Sequence, residues 1–215
     1  MPIRILLADD HTLMRQGLRH ILEGSPEFEV IAEASSGIEA VEAARQHKPD
    51  VAIVDVAMKE LNGIEATSQI LKHSPQTSVL ILSMYSDERY VLRAVKAGAR
   101  GYVLKNSAGD ELLQAILDVQ KGSAFFSPAV AAIFQSSFAR LQKSGEVLDR
   151  FDLLTSRERQ IYQLLAEGNS NKDIANRLNL SLHTVETHRW RIMEKLDIHS
   201  TAELVLSAVR RGMVS

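Results

Sequence analysis

Five times within its first 122 residues the chain passes from a short apolar run into a longer stretch whose apolar residues recur every three to four positions. Nothing else in the sequence limits the fold as much. Parallel strands need a crossover between them, and an amphipathic helix is the usual one, so the pattern predicts five βα units around a parallel sheet. Strands are expected at 3–8, 28–33, 51–54, 79–83 and 101–104. The helices between and after them are expected at 13–22, 37–47, from Asn62-Gly63 to near Ser74-Pro75, 87–97 and 110–120. Pro49 stops helical continuation before the third strand, and Gly98 and Gly122 follow the ends of the fourth and fifth helices.

Ligands of an open parallel sheet sit beyond the carboxyl ends of its strands, near a reversal of strand order. Asp9 and Asp10, Asp55, Ser83 and Lys105 all fall at such ends. Singly, each has an ordinary explanation: aspartates cap helices, and a strand-end serine or lysine is usually solvated. Together they are the groups that phosphoryl transfer to a carboxylate requires. Asp55 can attack phosphorus and form an acyl phosphate once charge is neutralised. Mg²⁺ takes hard oxygen ligands and keeps several waters, so the carboxylates of Asp9 and Asp10 suit it. Lys105 can hold the transferred group as a point charge, and the Ser83 hydroxyl can donate to its oxygens.

With 215 residues, 45% of them hydrophobic, the chain can build one large domain or two modest ones. The absence of cysteine excludes disulfide, thiolate-metal and cysteine-nucleophile chemistry. No apolar stretch approaches the roughly 20 residues of a membrane span, and the start lacks a signal-peptide layout. The expectation is a soluble, cytoplasmic protein without a membrane partner.

On Asp9-Asp10, Asp55, Ser83 and Lys105, residues 1–122 resemble the receiver domain of two-component response regulators. The resemblance implies a flavodoxin-like five-stranded fold and Mg²⁺ held by the acidic residues Asp9, Asp10 and Asp55 with the carbonyl of Ala57. It also implies a phosphoryl group delivered to Asp55 by a histidine kinase, with Tyr102 as a rotating aromatic that reports the switch. Spacing alone would make Tyr102 a half-buried strand residue. Three positions depart from the common receiver pattern: Lys59 and Asn106 stand where proline is frequent, and Met84 where many receivers place a small residue.

Residues 123–150 are expected to be a linker. Ser127-Pro128-Ala129 starts a helix continued by Val130, Ile133, Phe134, Phe138 and Leu141, and 143–152 reads as a flexible tether. Residues 151–215 have no strand pattern and read as four short helices. Thr155 with Glu158, Ser200 with Glu203 and, with a shorter arm, Ser170 with Asp173 have capping-box spacing. Only Asn179-Leu180-Ser181 separates two of these helices, which makes a helix-turn-helix. This part carries nine Lys and Arg against eight Asp and Glu, so its formal charge says little about nucleic acid.

The segment resembles the LuxR-type helix-turn-helix of NarL/FixJ-type regulators through Leu154-Thr155-Ser156-Arg157-Glu158, Asn171-Lys172-Asp173-Ile174-Ala175 and Thr184-Val185-Glu186-Thr187-His188. The 182–196 helix is then implied to enter the major groove of double-stranded DNA. Expected contacts are Lys172, Thr184, Glu186, Thr187, Arg189, Trp190, Arg191 and Lys195, the basic ones through phosphates. His188 shares a stripe with Val185, Ile192 and Leu196 and is expected to face the core. Ala202, Val205, Leu206 and Val209 read either as a core face of the last helix or, by the resemblance, as a homodimer surface on DNA.

The whole chain thus reads as a phosphorylation-switched transcription regulator. Two other readings stand beside it: a Mg²⁺-dependent phosphatase forming an aspartyl phosphate, which typically needs a second acid where Ala57 stands, and a DNA binder with a vestigial receiver. Because Lys59 leaves the loop after Asp55 less rigid than proline would, Lys59→Pro should change the phosphoryl half-life at Asp55 without abolishing phosphorylation. An unaltered half-life, followed by loss of phosphoryl mass, would overturn the loop argument.

Overall fold

Buried strands with apolar residues on both faces need cover on both faces, and this sheet has it. The computed structural model describes residues 1–133 and 150–214. Strands β1 (Ile3–Ala8), β2 (Phe28–Ala34), β3 (Val51–Asp55), β4 (Ser78–Ser83), β5 (Gly101–Leu104) and β6 (Phe125–Phe126) form one parallel sheet in the order β2-β1-β3-β4-β5-β6. Every residue of β3, β4 and β5 is buried. Successive side chains point to opposite faces. Leu6, Val54, Ile81 and Tyr102 therefore pack under α2 (Gly37–His47), α3 (Gly63–His73) and α4 (Glu88–Lys96). Leu7, Ile53, Leu80 and Val103 pack under α1 (Thr12–Glu23) and α5 (Ala108–Gln120). The chain runs from β1 outward to β2 and returns to β3 on the other side of β1, so the order reverses between β1 and β3.

The flavodoxin-like class expected from the sequence is the one observed, with one correction: the sheet has six strands, not five. Phe125 and Phe126 lie where a linker was expected, and two residues are too few to show a period. Residues 128–133 are helical (α6), as Pro128 at the first turn implies, and Val130 is fully buried. Phe134, Phe138, Leu141 and most of the expected tether lie outside the described residues.

The loop after β3 is clasped by two helix starts. Asn62 caps α3 by accepting from the Glu65 N–H, and Ser36 caps α2 by accepting from the Glu39 N–H. A Cβ on Gly63 would lie 1.9 Å from the Asp55 carbonyl oxygen, and one on Gly37 1.9 Å from that of Leu61. Only bare backbone fits at either position.

Contacts set a second unit apart, described from Arg150 to Val214. A 3₁₀ turn (Arg150–Leu153) precedes α7 (Ser156–Ala166), α8 (Asn171–Leu178), α9 (Leu182–Leu196) and α10 (Thr201–Arg210). Phe151, Ile161, Tyr162, Ile174, Val185, Ile192 and Leu204 form its core. Phe151 meets Tyr162 edge-on, with the Arg159 and Arg211 guanidinium carbons 5.3 and 4.9 Å from its ring centre. The capping boxes at Thr155 and Ser170 are both complete. At α10 Ser200 accepts from the Glu203 N–H, but the Glu203 carboxylate reaches back one residue further, to the His199 N–H.

One expectation for α10 is overturned. Leu204 and Ala208 form its buried face, whereas Ala202, Leu206 and Val209 are exposed and Val205 is half-buried, so these four are not a core stripe. The helix is apolar on two sides, and spacing could not choose between them.

Gly63→Ala should lower the stability of the receiver fold by about 2 kcal/mol, the cost of forcing a methyl into filled space. Gly17→Ala in α1, where a Cβ would meet nothing within 4 Å, should stabilise by up to about 1 kcal/mol through helix propensity. Urea unfolding followed by circular dichroism checks both signs.

Candidate phosphoryl site and helix-turn-helix face

Asp55 ends β3, Ser83 ends β4, Asp9 and Asp10 follow β1, and Lys105 follows β5. These are four adjacent strands, so their carboxyl ends deliver the side chains to one place. Asp9 and Asp55 are almost fully buried and Asp10 is half-buried. The Lys105 ammonium bridges them, with Nζ 2.7 Å from Asp9 Oδ2 and 2.9 Å from Asp55 Oδ2. Its backbone N–H donates to the Ser83 carbonyl at 2.8 Å, which fixes the start of the lysine's loop.

The electrostatics follow from that packing. Burial pushes the Asp55 carboxyl up and the Asp9 carboxylate adds to it, while Lys105 pulls it down; the net direction is upward. Burial alone would lower the Lys105 ammonium, but Asp55 and Asp9 together outweigh it and hold it above the ordinary lysine value. Lys105 therefore stays charged, and its charge is what keeps two buried carboxylates together.

His11 is a member of the site that the sequence reasoning missed. Its Nδ1 lies 2.8 Å from Asp10 Oδ1 and 3.2 Å from Asp9 Oδ1, and its backbone N–H donates to Asp9 Oδ1. The available signal was its place directly after the acidic pair. Ligand atoms of Asp9, Asp10, His11 and Asp55 all lie within 4.8 Å of one another. Asp9 Oδ2 and Asp10 Oδ1 are buried and receive no aligned hydrogen bond among the described residues, although the Lys105 ammonium stands close to the first and the His11 ring to the second. Hard oxygens with spare lone pairs fit a small divalent cation. At Ala57 the structure records the backbone N–H, which hydrogen-bonds the Asp55 carboxylate.

Ser83 Oγ accepts from the Tyr85 N–H at 3.1 Å, and the Tyr102 hydroxyl donates to the Tyr85 carbonyl at 2.6 Å. Tyr102 is fully buried, which corrects the half-buried placement that spacing favours. Burial drives its phenol well above the ordinary tyrosine range, opposed by a hydrogen bond from Ser83. Tyr85 stacks on Tyr90 with ring centres 4.9 Å apart. Of the three departures from the receiver pattern, Lys59, Met84 and Asn106 are all exposed, and none displaces a group of the site.

In the second unit α8 and α9 are joined through Asn179 in the left-handed conformation (φ 51°) and Ser181, which caps α9. Val185, Ile192 and Leu196 face the core, and His188 is half-buried with them, as the stripe implies. Lys172, Glu186, Trp190 and Arg191 are exposed. Thr184 is hydrogen-bonded to Ser181, and Thr187 Oγ1 donates to the His183 carbonyl. Two of the basic residues expected to meet phosphates, Lys195 and Arg189, already have partners within the chain. Lys195 Nζ lies 2.7 and 2.9 Å from the two oxygens of buried Glu158, and Arg189 donates to Thr201 and Asn171. Glu158 is 37 residues from Lys195, and no local pattern reveals that pairing. His183 is exposed and lies on the same helical stripe as Glu186, Thr187 and Trp190.

Comparison with known proteins agrees with both halves. The family model "Response regulator receiver domain" matches residues 5–117, and "Bacterial regulatory proteins, luxR family" matches residues 152–208. The chain is similar to the oxygen regulatory protein NreC of Staphylococcus haemolyticus, at 40% identity over 99% of each chain. It is similar to the structure of a LuxR-family two-component response regulator from Aurantimonas sp. SI85-9A1, at 35% identity and a TM-score of 0.62, over 65% of this chain and 99% of that one. It is also similar to the response regulator RcsB in a complex with DNA, at 26% identity and a TM-score of 0.59, over 97% of this chain and 100% of that one.

Glu158 supplies a prediction with a definite sign. Burial pushes its carboxyl up, but Lys195 and Thr155 more than offset this and hold it below the ordinary value. The linked stability is present above the unfolded carboxyl's pKa and is lost as pH falls through the lower, folded one. Lys195→Met should cost the second unit about 2 kcal/mol near neutral pH, less than for a fully buried pair because the lysine is partly exposed. The deficit should shrink as acid protonates Glu158; thermal melts of both proteins from neutral to acid pH measure it.

Proposed function

This chain belongs to the two-component response regulators with a LuxR-type DNA-binding domain, and on that premise we propose that Asp55 accepts a phosphoryl group from a sensor histidine kinase and so governs DNA binding by α8 and α9. One observation carries the reading: the Lys105 ammonium seated between Asp9 and Asp55 at the sheet's carboxyl edge. An Asp55 oxygen attacks phosphorus as the bond to the kinase imidazole breaks, and the imidazole leaves with the bonding pair. Asp9, Asp10 and Asp55 would hold Mg²⁺, which when bound neutralises the two anions that must meet. Lys105 exchanges part of its carboxylate contact for the incoming phosphoryl oxygens. Ser83 donates its hydroxyl to the same oxygens, and Tyr102 responds through their shared neighbour Tyr85.

Phosphorylation then biases an equilibrium between resting and DNA-binding arrangements. On DNA, α9 lies in the major groove with Glu186, Thr187 and Trp190 toward the bases, and Lys172 and Arg191 toward phosphates. The exposed stripe Ala202, Val205, Leu206 and Val209 pairs two copies across a two-fold axis. The RcsB complex with DNA supports this use of the domain. The phosphatase alternative is disfavoured by Ala57, which cannot serve as its second acid, and by the attached DNA-binding domain. Convergence of all five phosphoryl-site groups weighs against a vestigial receiver. No helix among the described residues is long and apolar enough to cross a membrane, which is consistent with the cytoplasmic location we propose.

A small phosphodonor with Mg²⁺ should tighten wild-type binding to a selected genomic fragment by about tenfold, within the usual range of allosteric coupling. Asp55→Asn should bind with one affinity in both conditions. Fluorescence anisotropy at fixed salt reads the difference, and equal responses from the two proteins would sink the switching reading.

A further inference from the structure

The chain leaves the receiver fold bound to it by backbone and by side chains. Phe125 and Phe126 pair with Gly101 and Tyr102. The Phe125 N–H donates to the Arg100 carbonyl and the Ser127 N–H to the Tyr102 carbonyl, each at 3.1 Å. A Cβ at position 101 would lie 2.9 Å from the Phe125 carbonyl oxygen, so Gly101 is what admits β6 so closely. One turn into α6, Val130 is fully buried in the apolar cluster that contains Tyr102, Tyr90 and Leu104, with Phe126 packed against it.

The other side of Tyr102 faces the phosphoryl site. Its hydroxyl donates to the Tyr85 carbonyl, and the Tyr85 N–H donates to Ser83 Oγ. Hydrogen bonds thus join Ser83 to the Tyr85 backbone and the Tyr85 backbone to the Tyr102 hydroxyl, and at the other end of the same residue the Tyr102 carbonyl holds the Ser127 N–H. One feature opposes this docked arrangement: Ser127 Oγ is buried and has no hydrogen-bond partner among the described residues. A buried hydroxyl without a partner is destabilising and would be relieved in water. Packing of Val130 and the β6 ladder hold the segment down while the Ser127 hydroxyl favours its release, which is how a two-state element is built.

We infer that residues 125–130 are the outgoing element of the phosphoryl switch, with Ser127 and Val130 as positioning residues for Tyr102. This rests on the reading of Asp55 as phosphoacceptor. When the Ser83 hydroxyl turns to the phosphoryl oxygens, its bond with the Tyr85 N–H weakens, and Tyr85 and then Tyr102 shift. The cluster under Val130 loosens, and the segment leaves the sheet edge. The connection to the DNA-binding domain thus begins as a docked strand whose release depends on the site.

Hydrogen-deuterium exchange on the full chain, with acetyl phosphate and Mg²⁺ and with intact mass recording phosphoryl uptake, tests this. Peptides covering 123–133 should exchange roughly fivefold faster or more in phosphorylated wild type. Tyr102→Phe, which removes the hydroxyl and keeps the ring, should gain phosphoryl mass yet leave 123–133 unchanged. Ser127→Ala, which removes the unpartnered hydroxyl, should slow exchange there before phosphorylation, whereas a structural role alone gives no dependence on phosphodonor. Phosphorylated wild type with unchanged exchange at 123–133, or Tyr102→Phe responding like wild type, would overturn the inference. Failure of wild type to gain phosphoryl mass would instead overturn the Asp55 reading and take this one with it.

Discussion

Carboxylates confined within 4.8 Å of one another repel by roughly 3 kcal/mol per pair even at an effective dielectric near 20. The Lys105 ammonium, 2.7 Å from Asp9 and 2.9 Å from Asp55, is what makes their neighbourhood tolerable in the resting protein. Four strand ends must be in register for that contact to exist, since Asp9 comes from β1, Asp55 from β3, the Ser83 carbonyl that anchors the Lys105 backbone from β4, and Lys105 itself from β5. The sheet is therefore a device for bringing charges together that the local chain would keep apart. Its adjustable part is the same lysine, because an incoming anion offers the ammonium a partner at least as good as the two it holds.

Close backbone approach supports this geometry. Gly63 lets α3 begin against the Asp55 carbonyl, and Gly37 lets α2 begin against that of Leu61, so both ends of the loop after the nucleophile are held by helix starts. On the opposite side of the site the constraint is softer. Tyr102 is buried and hydrogen-bonded, but Tyr85 above it is stacked near the surface and Met84 is exposed. Closely packed backbone beneath the nucleophile and less buried side chains beside Ser83 suit a site that reacts on one side and signals on the other.

The second unit concentrates its constraint in one buried carboxylate. Glu158 closes the capping box of α7 through the Thr155 N–H and holds Lys195 of α9. One side chain thus fixes both a helix start and the angle of the helix that presents Glu186, Thr187 and Trp190. The cap was legible in the sequence because its partners are three residues apart. The ion pair was not, because it spans 37 residues and pairs with a lysine that looks like any exposed basic residue of a DNA-binding helix.

That difference in range runs through the whole protein. Local chemistry is written locally: the βα alternation, the bounds of α2, the capping boxes at Thr155 and Ser170, and the strand-end positions of Asp9, Asp10, Asp55, Ser83 and Lys105 were all readable, because helix, strand and cap depend on neighbours within a few residues. The tertiary structure decided what distant neighbours decide. It placed two phenylalanines as a sixth strand, which a two-residue run cannot announce, and it turned His11 toward the acidic pair. It buried Tyr102 completely and drew Lys195 inward to Glu158. It also chose which of two apolar faces of α10 would meet the core. Sequence by itself thus determined the elements and the chemical groups they carry, because those follow from short-range periodicity and residue type. Which groups meet was left to the packed fold, because contact depends on side chains that the chain brings together only after the strands have paired and the helices have docked.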